Sequence, residues 1–242
     1  MADRDDARAA LVQTLLEKVS QERYPSTTML DLIEQLLTGA LAGFAAVTAA
    51  VAVGLPVVLS VDETVAAWGY HLTAAHPWLH EVWLFVDVVS EPIILRVLLV
   101  VIGLYLAYRG RWLLAGWLVG TSVAEQLVAP WSKTLLDRAR PHWAEPLAVE
   151  HSTSYPAGHA VGVAYFASAI VLLTLATTTS VVARRTVTSV AVLLTVVISL
   201  DRIFLGLHWL SDVVGGLLLG AAVTLAGLGL AQRLPPRRGR TP

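Results

Sequence analysis

The chain has 242 residues, of which 56% are hydrophobic and 14% charged, with a mean hydropathy of +0.66. Soluble domains carry about 25% charged residues, so this composition excludes an ordinary soluble domain and indicates an integral membrane protein. A net charge of −1 makes no case for nucleic-acid binding, and the absence of cysteine excludes disulfides, thiolate chemistry and a cysteine metal site.

Residues 1–27 are polar and charged and resemble no cleavable signal. Leu11, Leu15 and Val19 predict an amphipathic helix over 7–23. A helix that crosses a bilayer needs about 20 apolar residues, and six stretches answer that description: 36–59, 92–108, 112–130, 159–177, 186–205 and 211–230. Between the first two, the stretch 61–91 carries Val82, Phe85, Val86 and Val89 at helical spacing and is read as a short interfacial helix with loops. The expected fold is all-α: a polytopic membrane protein with six transmembrane helices. Its expected organisation is a polar cytoplasmic segment 1–27, a membrane domain 28–232 and a basic tail 233–242 that has no fixed structure. No internal repeat is present.

Lysine and arginine set the expected orientation. With six spans both termini share one side. That side holds Arg4, Arg8, Lys18, Arg23, Arg109, Arg111, Arg184, Arg185, Arg233, Arg237, Arg238 and Arg240, which is 12 of the 17 basic residues. Both termini are therefore expected in the cytoplasm. Tryptophans 68, 78, 83, 131, 143 and 209 cluster toward the outer face, as an interfacial belt does.

The other basic residues, Arg96, Lys133, Arg138, Arg140 and Arg202, lie on the side where positive charge is avoided. Ionisable residues at membrane depth are functional candidates. Lys133 and Arg140 are seven apart; on a continued third span they would face the same way, with Pro141 ending the helix. His208 and Asp212 are four apart, within reach on one helical face. The run Pro156-Ala157-Gly158-His159 opens the fourth span, with Pro156 suited to a first turn and Gly158 allowing backbone to approach a ligand. Free N–H groups at such a helix start favour an anion. Lys133, Arg140 and Arg202 add three positive charges, and arginine adds forked donors that match phosphate oxygens. Two histidines permit two roles at one phosphorus, attack and protonation of the leaving oxygen. With the basic cluster neutralising charge, no metal or other cofactor is required.

These motifs resemble the type 2 phosphatidic acid phosphatase superfamily, the membrane relatives of the vanadium haloperoxidases. The family's Lys, six residues, Arg-Pro is matched by Lys133 and Arg140-Pro141. Its Pro-Ser-Gly-His is matched by Pro156-Ala157-Gly158-His159. Its Ser-Arg, five residues, His, three residues, Asp is matched by Asp201-Arg202, His208 and Asp212. The resemblance implies that His208 is the nucleophile, Asp212 orients it and His159 is the general acid. It implies that Lys133, Arg140, Arg202 and the Ala157-Gly158 turn hold the phosphate. Two positions depart: the motif serine is Ala157, and Asp201 stands where a serine precedes Arg202. An acid there either orients Arg202 or cancels part of its charge.

Taken singly, each residue has an ordinary structural role. His71, His76 and His80 read as interfacial, Lys133 with Asp137 as a helix pair, and Arg202 as a snorkelling anchor. Their joint order favours the site. Glu125, inside the third span, is expected to pair with an arginine or to shape a substrate path. The function expected is a metal-independent membrane phosphatase acting on a lipid phosphate or pyrophosphate at the outer leaflet, with phosphatidic acid, a phosphatidylglycerol phosphate or a polyprenyl pyrophosphate as fitting substrates. The alternatives are a phosphotransferase with an acceptor other than water, or a non-catalytic lipid-binding or transport protein.

Overall fold

The computed structural model describes residues 29–233, and the expectations for 7–23 and for the basic tail lie outside them. The described chain is all-α: α1 (Met29–Ala52), α2 (Pro56–Ala74), α3 (Pro77–Val89), α4 (Pro92–Tyr108), α5 (Trp112–Ser132), α6 (Gly158–Thr177), α7 (Val181–Phe204) and α8 (Leu210–Arg233). By length and composition α1, α5, α6, α7 and α8 suffice to cross a bilayer; α4, at 17 residues, is a shorter apolar sixth.

Two expectations at the N-terminal end are corrected. The first span begins and ends earlier than 36–59, because Gly54 takes the left-handed conformation (φ 66°) and Pro56 starts a new helix. The stretch 61–91 belongs to two helices, α2 and α3, rather than one short helix with loops; a proline at the start of each fixes where it begins. At α7 the helix starts before residue 186, because the Ser180 hydroxyl accepts the Ala183 N–H and caps it.

Helix α8 packs against α1, α5 and α6, and α6 also packs against α4, α5 and α7. The α6–α8 approach depends on glycine: a Cβ at Gly216 would lie 2.6 Å from the Ala157 carbonyl and 2.8 Å from the Ala160 Cβ. Away from these contacts, Val97, Leu98, Val101 and Leu104 of α4 and Val190, Val192 and Leu193 of α7 are exposed, as side chains facing lipid are. The C-terminal ends of α5 and α7 and the N-terminal ends of α6 and α8 meet at one end of the bundle. There α2, α3 and the segment 133–157 wall them in. That segment is tied down by Tyr70, whose hydroxyl donates to the Glu145 carbonyl (2.8 Å), and by Trp143, whose ring stacks on Tyr70 at 4.0 Å.

Candidate active site

Arg202 lies in the last turn of α7, and the helix then closes at Gly206 in the left-handed conformation (φ 68°). A Cβ there would run into the Trp143 indole, whose N–H donates to the Gly206 carbonyl at 3.0 Å. This turn delivers His208, with its backbone N–H on the Arg202 carbonyl (3.1 Å). His208 therefore precedes α8, instead of sharing a helical face with Asp212. Asp212 sits in the first turn of α8 and reaches back to accept the Trp209 N–H (2.9 Å), as an acid three residues into a helix does.

The carboxylate of Asp212 is fully buried and saturated with donors. It accepts from Arg138 Nη1 (2.5 Å), from the Ser154 hydroxyl (2.5 Å) and from Trp209, and it lies 3.5 Å from His208 Nδ1. On its other side, His208 Nε2 lies 2.9 Å from Arg140 Nη1. A guanidinium can only donate, so Nε2 is the acceptor and the ring proton belongs on Nδ1, facing Asp212. The tautomer follows from the partners, and it leaves Nε2 with a lone pair among positive charges.

Arg138 was not among the residues singled out for a role, yet it joins three elements. Besides Asp212 it holds Asp62 of α2 (2.7 Å), and Asp62 in turn accepts the Ser211 N–H (2.8 Å) and hydroxyl (2.6 Å). Its only sequence signal is a place on the side where basic residues are scarce; an isolated Asp62 or Ser154 gives none.

Lys133 and Arg140 do come together, but not on a helix. Helix α5 stops at Ser132, and residues 134–140 are non-helical. The segment is held instead by Lys133 Nζ donating to the Thr153 carbonyl (2.8 Å) and by Arg140 donating to the carbonyls of Ser152 (2.7 Å) and Leu207 (2.8 Å). Burial, reinforced by the Arg140 charge, holds the Lys133 ammonium below its usual pKa. Glu150, also unforeseen, pairs with Arg140 Nη2 at 2.9 Å and approaches His208 Nε2 at 3.6 Å. Burial alone would raise its carboxyl, but the Arg140 and Lys133 cations beside it hold it well below the carboxylate range.

The second histidine belongs to a separate cluster. His159 is buried at the start of α6, and its Nδ1 lies 3.2 Å from Arg202 Nη1. Its Nε2 faces Glu91 (3.1 Å) and Asp87 (3.4 Å). Arg202 is heavily engaged: Nε donates to Asp201 (2.8 Å), and Nη2 contacts both Asp201 and Asp87. Asp201 thus both orients Arg202 and offsets its charge. What Arg202 offers a substrate is its remaining Nη1 hydrogen. Asp87, Glu91 and His159 are also the described group whose ligand atoms lie within 4.8 Å of one another, although the Arg202 guanidinium on Asp87 opposes a cation there.

Pro156 does not occupy the first turn of α6. The helix starts at Gly158 after an extended Ala157, and the Tyr155–Pro156 bond is cis. The Ala157 N–H is committed to the Asp212 carbonyl (3.0 Å) and its side chain is fully buried. Gly158 borders open space: a Cβ added there would meet nothing within 4 Å. The free N–H groups of the first helical turn therefore begin at Gly158. Glu125 resolves simply, as a salt bridge to Arg96 at 2.9 Å between α5 and α4.

The PAP2 superfamily model matches residues 111–235. Phosphatidylglycerophosphatase B of Bacillus subtilis is 30% identical over 175 residues, covering 71% of this chain and 83% of that protein. The crystal structure of a transmembrane PAP2-type phosphatidylglycerolphosphate phosphatase from Bacillus subtilis matches with a TM-score of 0.69 at 25% identity, covering 84% of this chain and 98% of that one. With the family model spanning half the chain and a fold shared along nearly all of that structure, the chain belongs to the PAP2 superfamily and is a multi-pass membrane lipid phosphatase.

Proposed function

We propose that this phosphatase hydrolyses the terminal phosphomonoester of a phosphatidylglycerophosphate-type lipid through a phosphohistidine on His208. The observation that carries the reading is the pair of contacts on that ring: Nδ1 toward the buried Asp212, Nε2 toward Arg140. Nε2 attacks phosphorus, the P–N bond forms and the P–O bond to the lipid breaks. The leaving oxygen takes a proton from His159. Water then attacks the phosphohistidine and gives its proton to His159, and inorganic phosphate departs with His208 restored. Asp212 stabilises the imidazolium that forms when Nε2 is phosphorylated. Lys133, Arg140, the remaining Arg202 hydrogen and the Gly158 backbone N–H hold the phosphoryl oxygens, supplying the charge neutralisation that the transition state requires.

The choice of substrate is supported by the two relatives, both phosphatidylglycerophosphatases. The membrane domain spans 28–232, both termini are cytoplasmic, and the site opens on the extracytoplasmic side, where the lipid tail stays in the bilayer while its head group enters between α2, α3 and the 133–157 segment. Purified protein in detergent with EDTA should release phosphate from phosphatidylglycerophosphate faster than from phosphatidic acid or a polyprenyl pyrophosphate. Release only on addition of Mg²⁺, or from none of the three, contradicts the reading.

A further inference from the structure

We propose that His159 works through Nδ1 and that Glu91 is its positioning residue, a carboxylate that holds the Nε2 proton and stabilises the imidazolium formed during turnover, as Asp212 does for His208. The inference rests on the phosphatase reading above and extends it to the group that moves protons.

The two nitrogens of the His159 ring face different charges. Nδ1 lies 3.2 Å from Arg202 Nη1. A guanidinium only donates, so Nδ1 is the acceptor and the ring proton is on Nε2. Nδ1 therefore sits beside the one Arg202 hydrogen left for a substrate, where an oxygen of a bound phosphate comes within reach. Nε2 is turned the other way, buried and without a hydrogen bond of its own. The acids that it meets are Glu91 at 3.1 Å and Asp87 at 3.4 Å. The other charges that reach the ring are Arg202 beside it and Arg140, Glu150 and His208 across the phosphate site.

Of the two acids, Glu91 is the one free to serve. Asp87 is tied to Arg202 Nη2, and Arg202 is paired with Asp201 as well, so that guanidinium is offset without Glu91. Among the described residues the ion pair of Glu91 is with His159 alone. Backbone packing fixes its place. Glu91 immediately precedes α4, and Pro92, the first residue of that helix, docks on α6 one turn beyond His159. A Cβ on Gly162 would lie 3.3 Å from the Pro92 Cβ, so the small residue there admits the α4 start and with it Glu91.

The protons balance. In the free site His159 carries one proton, on Nε2. A phosphate that draws the Arg202 Nη1 hydrogen frees Nδ1, which takes a proton from solvent. That proton passes from Nδ1 to the leaving oxygen as the P–O bond to the lipid breaks, and the ring is neutral again. The water that attacks the phosphohistidine returns a proton to Nδ1, which goes back to solvent or serves the next turnover. Through both steps the Nε2 proton stays with Glu91, and each imidazolium state is stabilised by its carboxylate.

The test is the pH dependence of kcat on phosphatidylglycerophosphate, with the full-length protein in detergent. The limb on which the rate falls as pH rises reports loss of the Nδ1 proton. A nearby carboxylate favours the imidazolium, so removing it lets that proton go at lower pH. The Glu91 side chain is 52% exposed, which screens the effect. Glu91→Gln, which keeps the shape but removes the charge, should therefore move the limb about one unit toward lower pH and cost about tenfold in kcat above it. Toward acid pH the variant and wild type should converge. Glu91→Asp, which keeps the charge, should stay closer to wild type than to Glu91→Gln. With p-nitrophenyl phosphate the leaving group departs as a stable anion and needs no proton, so the first-turnover burst of nitrophenolate should fall several times less than lipid turnover does. An unmoved limb in folded Glu91→Gln, or one equal loss on both substrates at every pH, overturns the proposal and leaves the phosphatase reading intact. A wild type that releases no phosphate from the lipid overturns the phosphatase reading and this inference with it.

Discussion

At the scale of single residues, the chemistry rests on where one proton sits. Asp212 draws the His208 proton to Nδ1, and Arg140 keeps Nε2 as an acceptor. Asp212→Asn preserves shape but can no longer stabilise the imidazolium, and its amide can donate to Nδ1 and favour the wrong tautomer. We expect the rate on the lipid substrate to fall by roughly three to four orders of magnitude with the thermal midpoint little changed; a loss below tenfold in a folded variant would contradict the role given to Asp212. Lys133 gives a pH prediction. Its ammonium is pushed below the usual lysine value by burial and Arg140, so its charge is lost at a lower pH than that of an exposed lysine, and KM should rise as pH climbs through that lowered value. Lys133→Arg, charged throughout, should move the alkaline limb of the KM profile upward. An unmoved limb assigns it to another group. At this scale the sequence showed the histidines, the aspartate and the three basic residues, because their spacings matched a family pattern. It did not show Arg138, Asp62, Ser154 or Glu150, because each acts through a partner distant in the chain: Arg138 and Asp212 are 74 positions apart.

Among elements, the informative contact is between α4 and α5. Arg96 and Glu125 pair at 2.9 Å, with Glu125 side chain 2% exposed and Arg96 18%. Replacing Glu125 alone by leucine leaves a guanidinium unpaired among apolar helices, a change that costs about 3–5 kcal/mol for buried pairs. Replacing both by leucine removes the charge altogether and should recover most of that loss. Unfolding in detergent of the two singles and the double checks this; a double variant as unstable as Glu125→Leu would show that the pair is not the cause. Helix identity was readable from apolar runs of about bilayer length, and α4 to α8 lie where those runs are. The ends were less readable. Lys133 and Arg140 looked helical by spacing, yet bonds to Thr153, Ser152 and Leu207 from later in the chain hold the segment open. The 61–91 stretch shows no long apolar run, because its two helices are 19 and 13 residues long and carry Asp62, Glu63, Glu81 and Asp87.

For the whole molecule, the ends of α5, α6, α7 and α8 place all the site residues at one end of the bundle, opposite Arg109, Arg111, Arg184 and Arg185. On the orientation we propose from the positive-inside rule, the site lies outside the cytoplasm. The chain has no cysteine, so single cysteines report without background. Ala144→Cys, in the exposed outer segment, should react with an impermeant thiol reagent in intact cells, and Thr179→Cys, between α6 and α7, only after lysis. The opposite pattern reverses the orientation.

The central claim is that phosphate passes through His208. Full-length protein mixed with ³²P-labelled phosphatidylglycerophosphate and quenched in base within the first turnover should carry label that is stable to alkali and lost in acid, as a phosphoramidate is, and peptide mapping should place it on His208. His208→Ala should take up none and turn over none. Label on another residue, or full turnover by His208→Ala, would contradict the account.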